Sequence, residues 1–237
     1  MATLTGVLEK LHFPLYDAFV LRDGSRTFGE AVGAGDRIRF FTDIQGKTRL
    51  ETNLQAAGVL PSHNTFEARA LRVAASAMAR CFVDGRRARR VLDNARRMDY
   101  ARGAAARRPD AEKLAEFTGF LHGELQECCA EEGAAALAGL IYGSVLSLIV
   151  GEKVMIEMPT FWFPSGAGVF SHNGSVSHGS PDPTATFRFA EPVLIEAHES
   201  FRVEVAFPAG VPPALSRRTG PFRLWVVLDG YLTRDVQ

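Results

Sequence analysis

Phe201-Arg202-Val203-Glu204-Val205-Ala206-Phe207 is the stretch whose reading decides the fold. In an extended chain Phe201, Val203, Val205 and Phe207 point one way, and Arg202, Glu204 and Ala206 the other. Strand side chains alternate with period 2, so this is a half-buried antiparallel strand. Phe222, Leu224, Val226 and Leu228 repeat the pattern, as do Phe187 and Phe189 around Arg188. Proline, glycine and serine turns separate these runs, at Pro181–Pro183 and from Pro208 to Pro221.

Working outward, Ser144–Val150 and Val154–Met158 read as strands, and so do Tyr16–Leu21, Arg37–Phe41 and Phe66–Val73. Asp23-Gly24, Gly33–Asp36 and Gln45-Gly46 carry turn chemistry. Residues 77–140 differ: they are rich in Ala, Arg, Glu and Leu and read as helices. Strands on both sides of a helical block imply one core with an insertion. The expected fold is mainly β, an antiparallel jelly-roll β-sandwich with a helical insertion at 77–140. A single roll is favoured over a double one, because the remaining residues are too few for sixteen strands. Residues 1–15 are expected to form an N-terminal arm and 16–237 a single domain. Leu4, Val7, Leu8 and Leu11 have the spacing of a short helical stripe, which orders only against a neighbour or a membrane surface.

Lys plus Arg and Asp plus Glu both number 27, so net charge is formally zero. Bulk nucleic-acid binding needs a basic surplus, which exists only locally. Arg86, Arg87, Arg89, Arg90, Arg96, Arg97, Arg102, Arg107 and Arg108 form a basic block without lysine. Asp110, Glu112, Glu116, Glu124, Glu127, Glu131 and Glu132 follow it. The guanidinium fork pairs bidentately with carboxylate or phosphate. The block therefore reads as two helices pairing with each other, as a contact between subunits, or as a contact with packaged nucleic acid. Leu114, Phe117, Leu121, Leu125 and Cys128 form an apolar stripe on the acidic helix.

The three cysteines, Cys81, Cys128 and Cys129, make no disulfide framework, which fits synthesis in a reducing compartment. Met1–Leu15 lacks a basic segment followed by a long apolar run, so no secretory leader is expected. The most apolar stretch, Ala134–Val150, reads as a buried helix running into a buried strand.

Chemistry-bearing motifs are weak. Gln45-Gly46-Lys47-Thr48 resembles the end of a phosphate loop, but Phe41 stands where the first glycine belongs and no helix follows, so a hairpin turn is expected. His172 and His178 are six positions apart in a Gly/Ser loop, a poor metal spacing. Glu191, Glu196, His198 and Glu199 crowd a turn, and a paired-carboxylate site there is the hydrolase alternative. Phe161-Trp162-Phe163 cannot all be buried on one face of a strand. Either at least one ring points outward, toward a protein interface or a sugar, or an insertion covers it, or the run belongs to a core spanning both sheets. No catalytic, metal or cofactor site is expected, and the chain is not read as an enzyme. The subunit-interface candidates are Arg86, Arg87, Arg89, Arg90, Arg96, Arg97, Glu124, Glu127, Phe161, Trp162 and Phe163.

Three stretches carry a resemblance. They are Arg39-Phe40-Phe41-Thr42 through Thr52-Asn53-Leu54 and Gly58-Val59-Leu60-Pro61, then Glu191–Ile195 with Phe201–Phe207, and the ending Leu228-Asp229-Gly230. Together they resemble the jelly-roll major capsid proteins of tailless icosahedral bacterial viruses. The resemblance implies a self-assembling homo-oligomeric shell protein, made in the bacterial host cytoplasm and located in the virion. Other virion proteins, a lipid layer or packaged nucleic acid would be its further partners. A carbohydrate- or ligand-binding β-sandwich module built on Trp162 is the alternative.

Overall fold

The computed structural model describes residues 8–22, 26–78, 133–166, 170–172, 175–177, 182, 184–219 and 221–235. The alternating segments become strands. In chain order the elements are β1 (Leu8–His12), β2 (Leu15–Leu21), α1 (Phe28–Val32), β3 (Arg37–Phe40) and β4 (Thr65–Met78). A helix over 133–143 (α2) follows. Then come β5 (Val145–Val150), β6 (Lys153–Pro159), β7 (Phe170–His172), β8 (Ser175–Ser177), β9 (Phe187–Ile195), β10 (Phe201–Ala206), α3 (Pro213–Ser216) and β11 (Phe222–Asp235).

Two antiparallel sheets result. One has the order β2-β11-β4-β9, with β1 added on β11 and the β7–β8 hairpin added on β4. The other has the order β3-β10-β5-β6. The pairs nest: β5 with β6, β4 with β9, β3 with β10, β2 with β11. The chain is one long hairpin whose successive rungs alternate between the sheets, with β11–β4 and β10–β5 closing each sheet.

The alternation explains the core. Val203 and Val205 of β10, Leu146 and Leu148 of β5, and Leu224, Val226 and Leu228 of β11 are buried in one cluster shared by both sheets. Each such side chain contributes about 1.5–3 kcal/mol when fully buried. Phe28 of α1 plugs one end, edge-on to Phe19, Phe207 and Phe222 at 5.6, 6.1 and 5.5 Å between centroids. Thr27 and Glu30 cap α1 reciprocally. β11 passes from β2 to β1 through a register shift between Asp229 and Gly230. A Cβ on Gly230 would run into the Glu67 carbonyl oxygen, so the glycine of the Leu-Asp-Gly ending is a packing requirement.

Several expectations change. Leu8–His12 is a strand on β11, not part of a helical arm, because β11 offers five residues of backbone pairing; residues 1–7 lie outside the described residues. β4 continues through Ala77 and Met78, the start of the expected helical block, because β11 and β8 pair with it there. Residues 133–143 are helical, with Ala136, Leu137, Leu140 and Ile141 buried, and residues 79–132 lie outside the described residues. Gln45-Gly46 is a turn, but within the connection 41–64 rather than in a hairpin. Among the described residues no helix is long and apolar enough to cross a membrane.

Candidate functional site

A sheet edge exposes unpaired backbone groups, and soluble proteins guard it with loops, charges, prolines or bulges. In this protein the edges are treated unequally.

The β2 edge is sealed by the connection 41–64. Asp17, fully buried on β2, accepts a hydrogen bond from the Phe41 N–H at 2.7 Å and ion-pairs with Lys47 Nζ at 2.7 Å. Phe41 has φ 68, a left-handed conformation that the carboxylate bond and ring burial hold in place. Thr52 bridges to Asp17, and the Asn53 N–H donates to the Tyr16 carbonyl. Asn53 Oδ1 accepts from the Tyr16 N–H at 2.9 Å. Trp225 Nε1 donates to the Leu50 carbonyl at 3.0 Å, and the Tyr16 hydroxyl donates to that of Arg49. Glu51 is buried beneath Arg22 and accepts from the Thr48 N–H at 2.8 Å. Burial pushes the Glu51 carboxyl up, but the Thr48 hydrogen bonds and the Arg22 and Arg223 charges together hold it below its ordinary value. A pocket of about 390 Å³ opens between Ile44, Lys47, Arg49 and Gln55. Its Lys47 ammonium is neutralised by Asp17, which ties the phosphate-loop-like segment to β2.

The β3 edge carries charge. Arg37, Arg39 and Arg202 converge on the buried Glu204 at 3.1, 3.4 and 2.9 Å. Burial raises the Glu204 carboxyl, and the Arg202 hydrogen bond with the three guanidinium charges more than offsets it, so its pKa is lowered. β9 carries Glu191 and Pro192 where its register with β4 shifts, and proline suits an edge.

The β6 edge is open. Among the described residues no strand pairs with its free side. Its register with β5 skips Met155, and this bulge leaves two consecutive apolar side chains, Val154 and Met155, 56% and 44% exposed. β6 leads into a short 3-10 turn, Thr160–Trp162, anchored by the Thr160 N–H on the Ser144 carbonyl and by the Thr160 and Ser144 hydroxyls at 2.7 Å. The turn resolves the three-aromatic run. Phe163 is fully buried, whereas Phe161 and Trp162 are about half exposed. Phe161 stacks on exposed Tyr142 of α2 at 5.9 Å and 30°, and Trp162 follows at 5.9 Å and 31°. Trp162 and Phe163 both meet Phe187 edge-on, tying this ladder to the core.

No family model matches the chain, and neither does any curated protein or solved structure.

Of the residues singled out by sequence, Phe161 and Trp162 lie together on the surface. Phe163 is corrected to a core residue, since the 3-10 turn rotates it inward. Arg86, Arg87, Arg89, Arg90, Arg96, Arg97, Glu124 and Glu127 lie outside the described residues. In the turn between β9 and β10 the Glu196 N–H donates to Glu199 Oε2, and His198 meets Ser62 at 3.2 Å, which are bonds that shape the turn. His172 lies in β7, and His178 is outside the described residues. Among the described residues no three metal-ligating side chains cluster. Sequence reading missed Tyr142, Val154 and Met155. An apolar pair at adjacent strand positions was the available signal for the last two.

Proposed function

We propose that the protein is a structural subunit that assembles with copies of itself, and that its body is a single jelly roll. A jelly roll is eight strands in two sheets with Greek-key connections. The nested order β5/β6, β4/β9, β3/β10, β2/β11 supports that reading, with the connection containing α2 as an insertion between β4 and β5. A viral shell protein, with the virion as its place and neighbouring subunits, other virion proteins, a lipid layer or the genome as its contacts, is the finer form of the proposal.

The observation that carries assembly is the exposed row Tyr142, Phe161 and Trp162 beside β6. Large rings are enriched at protein interfaces, and Trp and Tyr dominate their energetics. Light scattering and electron microscopy test the proposal. The expected result is large regular assemblies that a Phe161→Ser, Trp162→Ser double variant reduces to a folded small species. A parent chain that stays monomeric at all concentrations overturns it.

The same row of rings also suits stacking on a sugar, the second reading. Saturable quenching of tryptophan fluorescence by an oligosaccharide panel, lost in Trp162→Ser, would favour it.

A further inference from the structure

We infer that β6 pairs antiparallel with β6 of a second copy across a two-fold axis at Met155. The inference rests on the assembly reading above and names one of its contacts. Three observations carry it. The first is the unequal guarding of edges among the described residues: β2 is covered by backbone, β3 by two arginines, β9 by Glu191 and Pro192, and β6 by none of these along Val154-Met155-Ile156. The second is the bulge, which pushes Val154 and Met155 into solvent together. A bulge commonly ends edge pairing; here it lies on the axis, where the two Met155 side chains meet and the residues on either side remain for backbone contact.

The third is charge. Lys153 and Glu157 are equidistant from Met155. An antiparallel pairing about Met155 sets Lys153 of each copy level with Glu157 of the other, twice. A parallel pairing in register would set like charges level, which is destabilising. Among the described residues no ion pair is formed by Lys153, and Glu157 is held on the sheet by the Ser147 hydroxyl at 3.0 Å. A two-fold interface must be complementary to itself, and this strand is. β3 is not, since its edge carries only the two arginines, and β9 is interrupted by Pro192.

Charge reversal tests the pairing. Lys153→Glu and Glu157→Lys should each weaken the contact at low salt by at least about tenfold, through like charges facing across the axis. Mixing the two variants, one of them heavy-isotope-labelled, should restore it as a heterodimer visible by native mass spectrometry. Oxidation of Met155→Cys should give a covalent dimer, because only the axial position brings two Cα atoms within disulfide reach, and Lys153→Cys should not. This cross-link keeps the test decisive if Glu157→Lys destabilises the fold by losing its bond to Ser147. A mixture no better than either variant alone, or equal cross-linking at positions 153 and 155, overturns the pairing. Large assemblies that persist unchanged in both charge variants overturn it while leaving the assembly reading intact.

Discussion

The two ends of strand order, β2 at the margin of one sheet and β6 at the margin of the other, meet opposite fates. β2 is closed by a connection that donates and accepts backbone hydrogen bonds along it and is locked by two buried carboxylates, Asp17 and Glu51. Among the described residues β6 keeps its free side and adds apolar surface to it, continuous in sequence with an exposed aromatic turn. The same chain thus invests buried charge in sealing one edge and leaves Val154 and Met155 exposed on the other, between Lys153 and Glu157. The lesson is that an edge becomes an interaction surface by what is withheld from it, since any strand margin is sticky until something covers it.

The largest expected effect breaks the sealed side. Asp17→Ala removes the partner of the largely buried Lys47 ammonium and of the Phe41 N–H together. Breaking one half of a buried ion pair costs about 3–5 kcal/mol. Urea denaturation should register that loss, and the variant should aggregate at concentrations where the parent stays clear. A loss below about 1 kcal/mol would mean that this tie is dispensable.

Next is a contrast within the open side. Phe163→Ala empties a fully buried ring site at the root of the ladder and should cost about 3–5 kcal/mol. Its sequence neighbour Trp162, half exposed, should tolerate Ala at well under half that cost, measured in the same denaturation experiment. Similar losses at both positions would place Trp162 in the core.

Acid should separate the two sides more gently. The folded Glu51 carboxyl sits below its ordinary value of 4.5, so its contribution is complete above that pH and is lost as pH falls through the lowered folded value. Over that acid range the melting temperature of Glu51→Gln should fall less than that of the parent. Parallel curves for the two proteins would remove Glu51 from the acid response.

The smallest expected effect on the fold is Tyr142→Ser. The ring is 71% exposed, and surface changes of this kind stay within about 0.5 kcal/mol. Its effect should show in assembly measured by light scattering, with the melting curve unchanged. A changed melting curve with unchanged assembly would make the ladder a structural brace.

Much of the local structure was legible because strand burial leaves a period of two. Phe201–Ala206, Phe222–Leu228, Leu15–Leu21 and Lys153–Pro159 lie where alternation or β-branched runs put them, and the turns at Gly33–Asp36 and Gln45-Gly46 follow their glycines. Leu8–His12 was misread because four leucine and valine positions fit a helical spacing equally well, and only the backbone of β11 makes a strand the better choice. Ala77 and Met78 fell in the expected helical block because alanine favours helix, and pairing on both sides of β4 overrides it.

By itself the sequence determined that this protein is mainly antiparallel β and that its core is drawn from alternating positions. Those are local properties, set by side-chain direction along a few residues. Only the tertiary structure decided the nested strand order, the pairing of Asp17 with Lys47 across 30 positions, the bulge at Met155, and which edge is sealed and which is open. These depend on contacts between distant segments, whose partners are selected by the packing of two whole sheets on one core and leave no short-range signature in the chain.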